Sequence, residues 1–476
     1  MKKQTRLLAV FICLIMLFSF AGCGNSDQTS SDDQNLNNDT GVLIDDFEDE
    51  TVPGTQGDGS DVQGTNSGGG NTGGNNTGGS SGSDPFANIP SRLNGTTVVF
   101  AHFGDEGAAE YEKVLKAFTK KTGIKYKLVS YNQGEYVAQV SKQIAAKSGP
   151  DVIICNDTFP SALEIAQPLQ NYIDLNDDFW DDEITNISTV GGNTYFVNSL
   201  EGVWENIDAV FFNKTLFANN GITSPLDYYN NGQWTYENLK KCAEEIKKLG
   251  YVGGCVDADK INTGLGTPMV GYDPKTATFK AATSSQLAVG YQFRAQIFRE
   301  GLWSATDWWG TFGNGNIGLY VSGFYGAKYN GYFKDMDDNA IAMVPMPKSI
   351  DGKTVKATGS FRGYGIAKNA KNPEGAAYLL RYFLDYEYYS GAGANVFKNK
   401  NLEEMAFTIM DDIRKNGRNF DFSGEAMILA GSSNNNNALN EIGRADPAQV
   451  PGLLAAQQNV FDNAANKANE KIASYR

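Results

Sequence analysis

The chain has one histidine, His102, and five cysteines in 476 residues. A single imidazole excludes a multi-histidine zinc cluster and leaves any Ser-His or Cys-His catalytic scheme one candidate. Basic charge is also scarce. The whole chain carries −15, divided unevenly: +3 over residues 1–22, −12 over 23–91 and −6 over the remainder. A nucleic-acid partner needs a basic footprint, and a mildly acidic folded part argues against one. Long apolar runs are missing too, with one exception at the start.

That exception is "LLAVFICLIMLFSFAGCGNS", residues 7–26. Its apolar core, Leu7 to Phe20, falls short of the roughly 20 residues that span a bilayer. Lys2, Lys3 and Arg6 precede it, so it reads as a secretory signal peptide over residues 1–22. Phe20-Ala21-Gly22-Cys23 resembles the bacterial lipobox, with Phe20 where Leu is more usual. The resemblance implies that Cys23 is lipidated and becomes the first mature residue, so contact with the membrane is through the lipid anchor only.

Residues 23–91 form a Gly/Ser/Asn/Asp-rich tract with almost no aromatics, as in "GGGNTGGNNTGGSSGSD". Such a composition cannot offset its ordering entropy and is expected to be a disordered tether. As a flexible coil its reach is about 45 Å. The patch "VLIDDFEDE" at 42–50 reads as solvated linker. Once Cys13 leaves with the signal and Cys23 is lipidated, Cys155, Cys242 and Cys255 remain. A Cys242–Cys255 disulfide is conceivable, but three free, buried thiols are the preferred reading.

The remaining 385 residues, from Arg92 to Arg476, are too many for one simple core and suggest two lobes. Short apolar runs alternate with helical periodicity. "TTVVFAHF" reads as a buried strand. "AAEYEKVLKAFTKKTG" places Tyr111, Val114, Leu115 and Phe118 on one helix face and stops at Gly123. "IKYKLVSY", "EYVAQVSKQIAAKSGP" and "DVIIC" continue as strand, helix and strand. This β-α-β-α-β order predicts an α/β fold with a parallel sheet flanked by helices. Further on, Thr235 is expected to cap a helix that buries Leu239, Cys242, Ala243 and Ile246. Pro373 opens another, with Ala376, Leu379, Leu380 and Phe383 inward.

Ligands in such sheets bind beyond the carboxyl ends of the strands. Those ends carry Phe103, Gly104 and Asp105, then Asn156 and Asp157. The acidic segment "DLNDDFWDDE" (174–183) lacks the spacing and glycine of a calcium loop and reads as a solvated surface; no metal and no cofactor is expected.

Four stretches share a resemblance. They are "GPDVIICND" with "AQPLQNYIDL", "AVFFNKTLFANNGITSPLDYYNNGQWTYENL", "TFGNGNIGLYVSGFYG", and "IAMVPMPKSIDGKTVKATGSFRGYGIAKNAKNPEGAAYLLRYFL". In order and spacing they resemble the extracellular solute-binding proteins of ABC importers, in the sugar-binding group related to maltose-binding protein. Phe211 and Phe212 replace the usual tyrosines, and the spacer before Trp234 is longer.

The resemblance implies a two-lobed periplasmic-binding-protein-like fold (type II). The expected lobes are 92–203 plus 358–405 and 204–357 plus 406–476, with chain crossings near Leu200–Trp204 and Ala357–Ser360. It implies a monomeric, extracellular, non-enzymatic receptor that closes on a solute, a carbohydrate in this group, and delivers it to ABC-transporter permease subunits. Sugars present C–H faces that stack on aromatics and hydroxyls that bond to Asp, Asn, Glu and Arg. The expected ligand-binding residues are Phe103, Asp105, Asn156, Asp157, Glu201, Trp204, Trp308, Phe324, Tyr325, Phe361 and Arg362. Two alternatives stay open: a receptor for a peptide, polyamine or anion, and a carbohydrate-active enzyme using two carboxylates.

The lipobox reading has a direct test. Cys23→Ser is expected to leave the protein unprocessed or shed into the medium. Normal processing with unchanged membrane partitioning would contradict it.

Overall fold

Strand Thr97–Phe103 pairs in parallel with Lys125–Tyr131 over its whole length, from Thr97 opposite Lys125 to Phe103 opposite Tyr131. The computed structural model in which this register is seen describes residues 84–476 except 105–107, 202–205, 257–259, 265–266, 305, 307–308, 328–332, 334–335, 349–356, 398 and 433–435. The signal-like run, Cys23, the patch at 42–50, Asp105, Trp204 and Trp308 therefore lie outside the described residues.

The first sheet has the order 362–366, 152–156, 97–103, 125–131. The last three run parallel, as the alternating pattern predicts, and Arg362–Ile366 adds an antiparallel edge. Helix Ala108–Thr122 covers one face because Tyr111, Val114, Leu115 and Phe118 recur at three- and four-residue intervals; all four are buried. It ends at Gly123, whose φ of +73° suits a left-handed stop. Helix Pro373–Phe383 lies on the same face, with the Phe383 ring 5.2 Å from that of Phe100.

The opposite face receives helix Tyr136–Ala145. Here one side chain substitutes for missing ladder. Strands 97–103 and 152–156 share a single register pair, Phe100 with Val152. The buried Tyr136 hydroxyl accepts from Ile154 N–H at 3.0 Å and donates to Ala101 O at 2.9 Å, joining the strands beyond that pair. Gly363 and Gly365 allow the edge strand to sit close against Phe196. A Cβ on Gly363 would lie 2.7 Å from Phe196 Cβ, and one on Gly365 would lie 2.6 Å from Tyr195 O.

The second sheet has the order 303–304, 252–256, 317–323, 206–213, 357–360, 418–420, and strand 341–345 also pairs with 206–213. Helix Tyr236–Lys248 packs Leu239, Cys242, Ala243 and Ile246 inward, with the Thr235 hydroxyl capping its start. Cys155, Cys242 and Cys255 are buried, and none of the three is joined in a disulfide. Trp234 and Trp303 belong to this core, and Trp234 Nε1 donates to Pro345 O at 2.7 Å.

The two sheets are joined by extended chain. Ala357–Ser360 belongs to the second sheet, and one residue later Arg362–Ile366 belongs to the first. The other connection runs beside it: Val197 bridges Tyr364 on one side, and Ile207 and Asn206 pair with Gly359 and Ser360 on the other. Around this junction, Phe159, Phe361, Phe420 and Phe422 share one aromatic cluster with the Val270–Ala281 hairpin. Ala464, Ala465, Ala468 and Ile472 of helix Val450–Ile472 pack into the same core.

Arg418 reinforces the seam. Its side chain is fully buried at the edge of the second sheet, and it pairs with Asp181 and, at 2.9 Å, with Glu183. Asp181 also caps helix Asp182–Ile187, and its N–H donates to Asn198 O at 2.9 Å. Removing one partner of a buried ion pair strands the others and typically costs about 3–5 kcal/mol. Arg418→Met is expected to lower the unfolding free energy by about that amount in chemical denaturation. A change below about 0.5 kcal/mol, the scale of an ordinary surface substitution, would show that the pair is not needed.

Candidate functional site

The carboxyl ends of strands 97–103 and 152–156 meet the inter-sheet junction. Asp157 follows the second of them with φ +56°, and its N–H donates to Phe361 O at 3.1 Å, which fixes it beside the crossing segment. Its side chain is open to solvent, yet protein surrounds it densely on its other sides. That surrounding protein desolvates the carboxyl and pushes it up to about 6. Lys260, a hydrogen bond from Ser360 and Arg362 oppose the rise, while Asp208 adds to it. An acid poised in this way at a chain crossing has the character of a functional site.

Arg362 is nearly buried. Its backbone lies opposite Asn156 in the ladder, and its guanidinium lies over the Phe103 ring at 5.5 Å and the Tyr364 ring at 5.9 Å. Asn198 Nδ2 donates to its carbonyl at 3.1 Å. Arginine stacked on aromatic faces is held rigid and keeps its charge.

The second sheet contributes a matching set. Asp208 is buried near the start of strand Asn206–Asn213. Thr358 Oγ1 donates to its Oδ2 at 2.9 Å, and Lys260 Nζ lies 3.1 Å from its Oδ1. Tyr325 is half-buried just past strand Ile317–Gly323. A Cβ placed on Gly323 would lie 2.9 Å from the Tyr325 ring and 3.9 Å from Asp208 Oδ1, so ring and carboxylate flank the same backbone position.

The structure thus brings Phe103, Asn156, Asp157 and Arg362 together on the first sheet's side of the junction, and sets Tyr325 beside Asp208 on the second. The other expected residues are placed differently. Phe324 is fully buried with its ring 5.7 Å from Phe397. Phe361 is buried in the aromatic cluster. Glu201 accepts from Tyr386 N–H at the start of helix Tyr386–Gly391, and burial raises its carboxyl to about 7. Asp105, Trp204 and Trp308 lie outside the described residues.

Four contributors were not anticipated: Asp208, Lys260, Thr358 and Ser360. Asp208 had a signal, since a lone carboxylate inside the apolar run "NIDAVFF" must find a partner when buried. Lys260 had none, because it follows the polar stretch "VDAD".

Residues 101–390 match the family of bacterial extracellular solute-binding proteins. The chain belongs to that family. The match contains Asp157, Asp208, Lys260, Tyr325 and Arg362. No curated relative matches the chain. Among solved structures, the extracellular solute-binding protein of Staphylococcus aureus in complex with maltose is 17% identical, with a TM-score of 0.53 over 80% of this chain and 97% of its own. The cyclic α-maltosyl-1,6-maltose binding protein of Arthrobacter globiformis is 15% identical, with a TM-score of 0.54 over 80% and 99%. An ABC substrate-binding protein of Listeria monocytogenes in complex with cycloalternan is 14% identical, with a TM-score of 0.53 over 79% and 99%. These likenesses show the fold of a type II solute-binding protein, which agrees with the alternation of strands and helices in the sequence. Among the described residues, no helix is long and apolar enough to cross a membrane.

The raised carboxyls of this solute-binding protein make its stability depend on pH. Asp157 has an ordinary value of 3.8 and is held near 6, so folding favours its protonated form. Its contribution is fully present below about 4 and is lost as pH rises through about 6. Glu201 acts in the same direction between 4.5 and about 7. Asp273 and Asp446, whose values are lowered, act at more acidic pH. Asp157→Asn is therefore expected to gain melting temperature relative to the parent between pH 5 and pH 7.5. A difference independent of pH over that range would contradict the placement of Asp157.

Proposed function

We propose that this solute-binding protein is a membrane-tethered receptor that captures a sugar or oligosaccharide between two closing lobes and delivers it to the permease of an ABC importer. One observation carries the reading. A carboxylate, a guanidinium and an aromatic ring at the strand ends of one sheet stand at the same chain crossing as a carboxylate–ammonium pair and a tyrosine from the other. Carboxylate and cationic groups bond neighbouring hydroxyls, and the rings of Phe103 and Tyr325 offer faces to C–H surfaces. Two of the related structures hold maltose and cycloalternan, and the third is a cyclic α-maltosyl-1,6-maltose binding protein, which points the same way.

In this reading the lobes are 92–203 plus 358–405 and 204–357 plus 406–476, and the paired crossings act as the hinge. Cys23 carries the lipid, residues 23–91 form the leash, and the receptor works outside the cell as a monomer. Asp105, Trp204 and Trp308 complete the ligand set, with Phe324 and Phe361 supporting it from the packed interior. A receptor fits better than a hydrolase, because Glu201 is engaged by Tyr386 N–H at the start of helix Tyr386–Gly391. It also fits better than a receptor for a strongly charged solute, because Asp157 and Asp208 are balanced by Lys260 and Arg362.

The test is a thermal-shift screen of the soluble domain against mono- and oligosaccharides, with peptides, polyamines and anions as the other arms. A saccharide at a hundred times its dissociation constant is expected to stabilise the native state by about 2.7 kcal/mol. Asp157→Asn should weaken that saccharide at least tenfold without lowering the melting temperature of the unliganded domain. Stabilisation by a charged solute alone, or turnover of a glycan, would overturn the reading.

A further inference from the structure

The second lobe supplies one charged group that no sequence pattern pointed to. Lys260 opens the short helix Lys260–Gly264, and its side chain is partly exposed, at 19%. Asp208, buried and held by Thr358, anchors the ammonium at 3.1 Å. Thr358 lies on the strand that continues through Ser360 and Phe361 into Arg362. The lysine is thereby tied to the crossing segment against which Asp157 is fixed by Phe361 O.

We propose that Lys260 is the second lobe's specificity-determining ligand contact: anchored by Asp208, its ammonium meets the hydroxyls of the solute that Asp157 holds from the first lobe and draws the lobes together over it. The proposal rests on the saccharide-receptor reading above and names how that site selects. An ammonium donor opposite a carboxylate acceptor suits a neutral polyol, whose hydroxyls both accept and donate. A cationic solute would meet Lys260 and Arg362. An anionic one would meet Asp157, Asp208 and Glu425.

Charged, titratable and hydrogen-bonding groups from several elements bear on Asp157. Lys260 and Asp208 belong to the second lobe, and Arg362 and Ser360 to the crossing. Glu425 comes from helix Ser423–Leu429, and Cys155 from Asp157's own strand. Lys260 is the foremost of the charged groups favouring the ionised carboxylate. An ionised Asp157 is the form that accepts from a sugar hydroxyl, so affinity should rise with pH through about 6.

The test is calorimetric titration of the soluble domain with maltotetraose from pH 5 to pH 8, for the parent, Lys260→Met, Lys260→Gln and Lys260→Arg. Lys260→Met is expected to bind at least tenfold more weakly at pH 8, well above the midpoint, because its contact with the solute is lost, and to shift the pH midpoint of binding upward, because the cation that favours ionised Asp157 is gone. Lys260→Gln keeps a donor for Asp208, so it preserves the fold if Lys260→Met does not, and should show the same upward shift. Lys260→Arg should keep the parent's midpoint. A lysine that only satisfies Asp208 would still shift the midpoint through its charge on Asp157, but would leave the affinity at pH 8, well above the midpoint, unchanged. If the parent binds and neither neutral variant weakens binding at pH 8, this inference is overturned while the saccharide reading stands. If the parent binds neither maltotetraose nor any saccharide of the thermal-shift screen at millimolar concentration, both fall.

Discussion

The structure depends on one constraint: a single extended segment, Ala357 to Ile366, serves as a strand in both sheets. A strand must satisfy its backbone donors and acceptors wherever it is buried. Here it does so against Asn206 and Ile207 on one side of Phe361 and against strand Val152–Asn156 on the other. The register leaves little freedom at Ser360, Phe361 and Arg362. It sets Ser360 to donate to Asp157, and seats the Arg362 guanidinium over Phe103. The candidate site is a consequence of that shared strand.

The same constraint organises the packing. Side chains alternate along an extended segment, so neighbours face opposite ways. Phe361 enters the cluster of Phe159, Phe420 and Phe422, while Arg362 turns toward Phe103 and Tyr364. Arg418 then ties the outer strand of the second sheet to Asp181 and Glu183, next to the other crossing. Buried aromatic area and a buried ion pair brace the junction behind the face where Asp157 is open to solvent. A hinge built this way combines a firm backbone register with polar groups poised at its mouth.

Much of this was legible in the sequence, and the reason is periodicity. Tyr111, Val114, Leu115 and Phe118 announced their helix by spacing alone, as did Leu239, Cys242, Ala243 and Ile246, and the alternation of runs implied the parallel sheet. Asn156, Asp157 and Arg362 were legible as site candidates because strand ends and a glycine-flanked crossing are where ligands find room. What was not legible depends on which face of an element meets the junction. Nothing local in "GSFRGYG" says that Phe361 packs inward while Arg362 turns to the strand ends. Lys260 lies some fifty residues from Asp208 and roughly a hundred from Asp157 and Arg362, so its role emerges only when the second sheet folds it back.

In the proposed mechanism, solute closes two lobes about the shared strand. Small-angle scattering of the soluble domain with and without a saccharide that stabilises it tests this most directly. The radius of gyration is expected to fall on ligand addition in the parent, and to stay at the unliganded value in Asp157→Asn at the same ligand concentration. A ligand-saturated parent whose scattering curve matches the unliganded one would contradict the account.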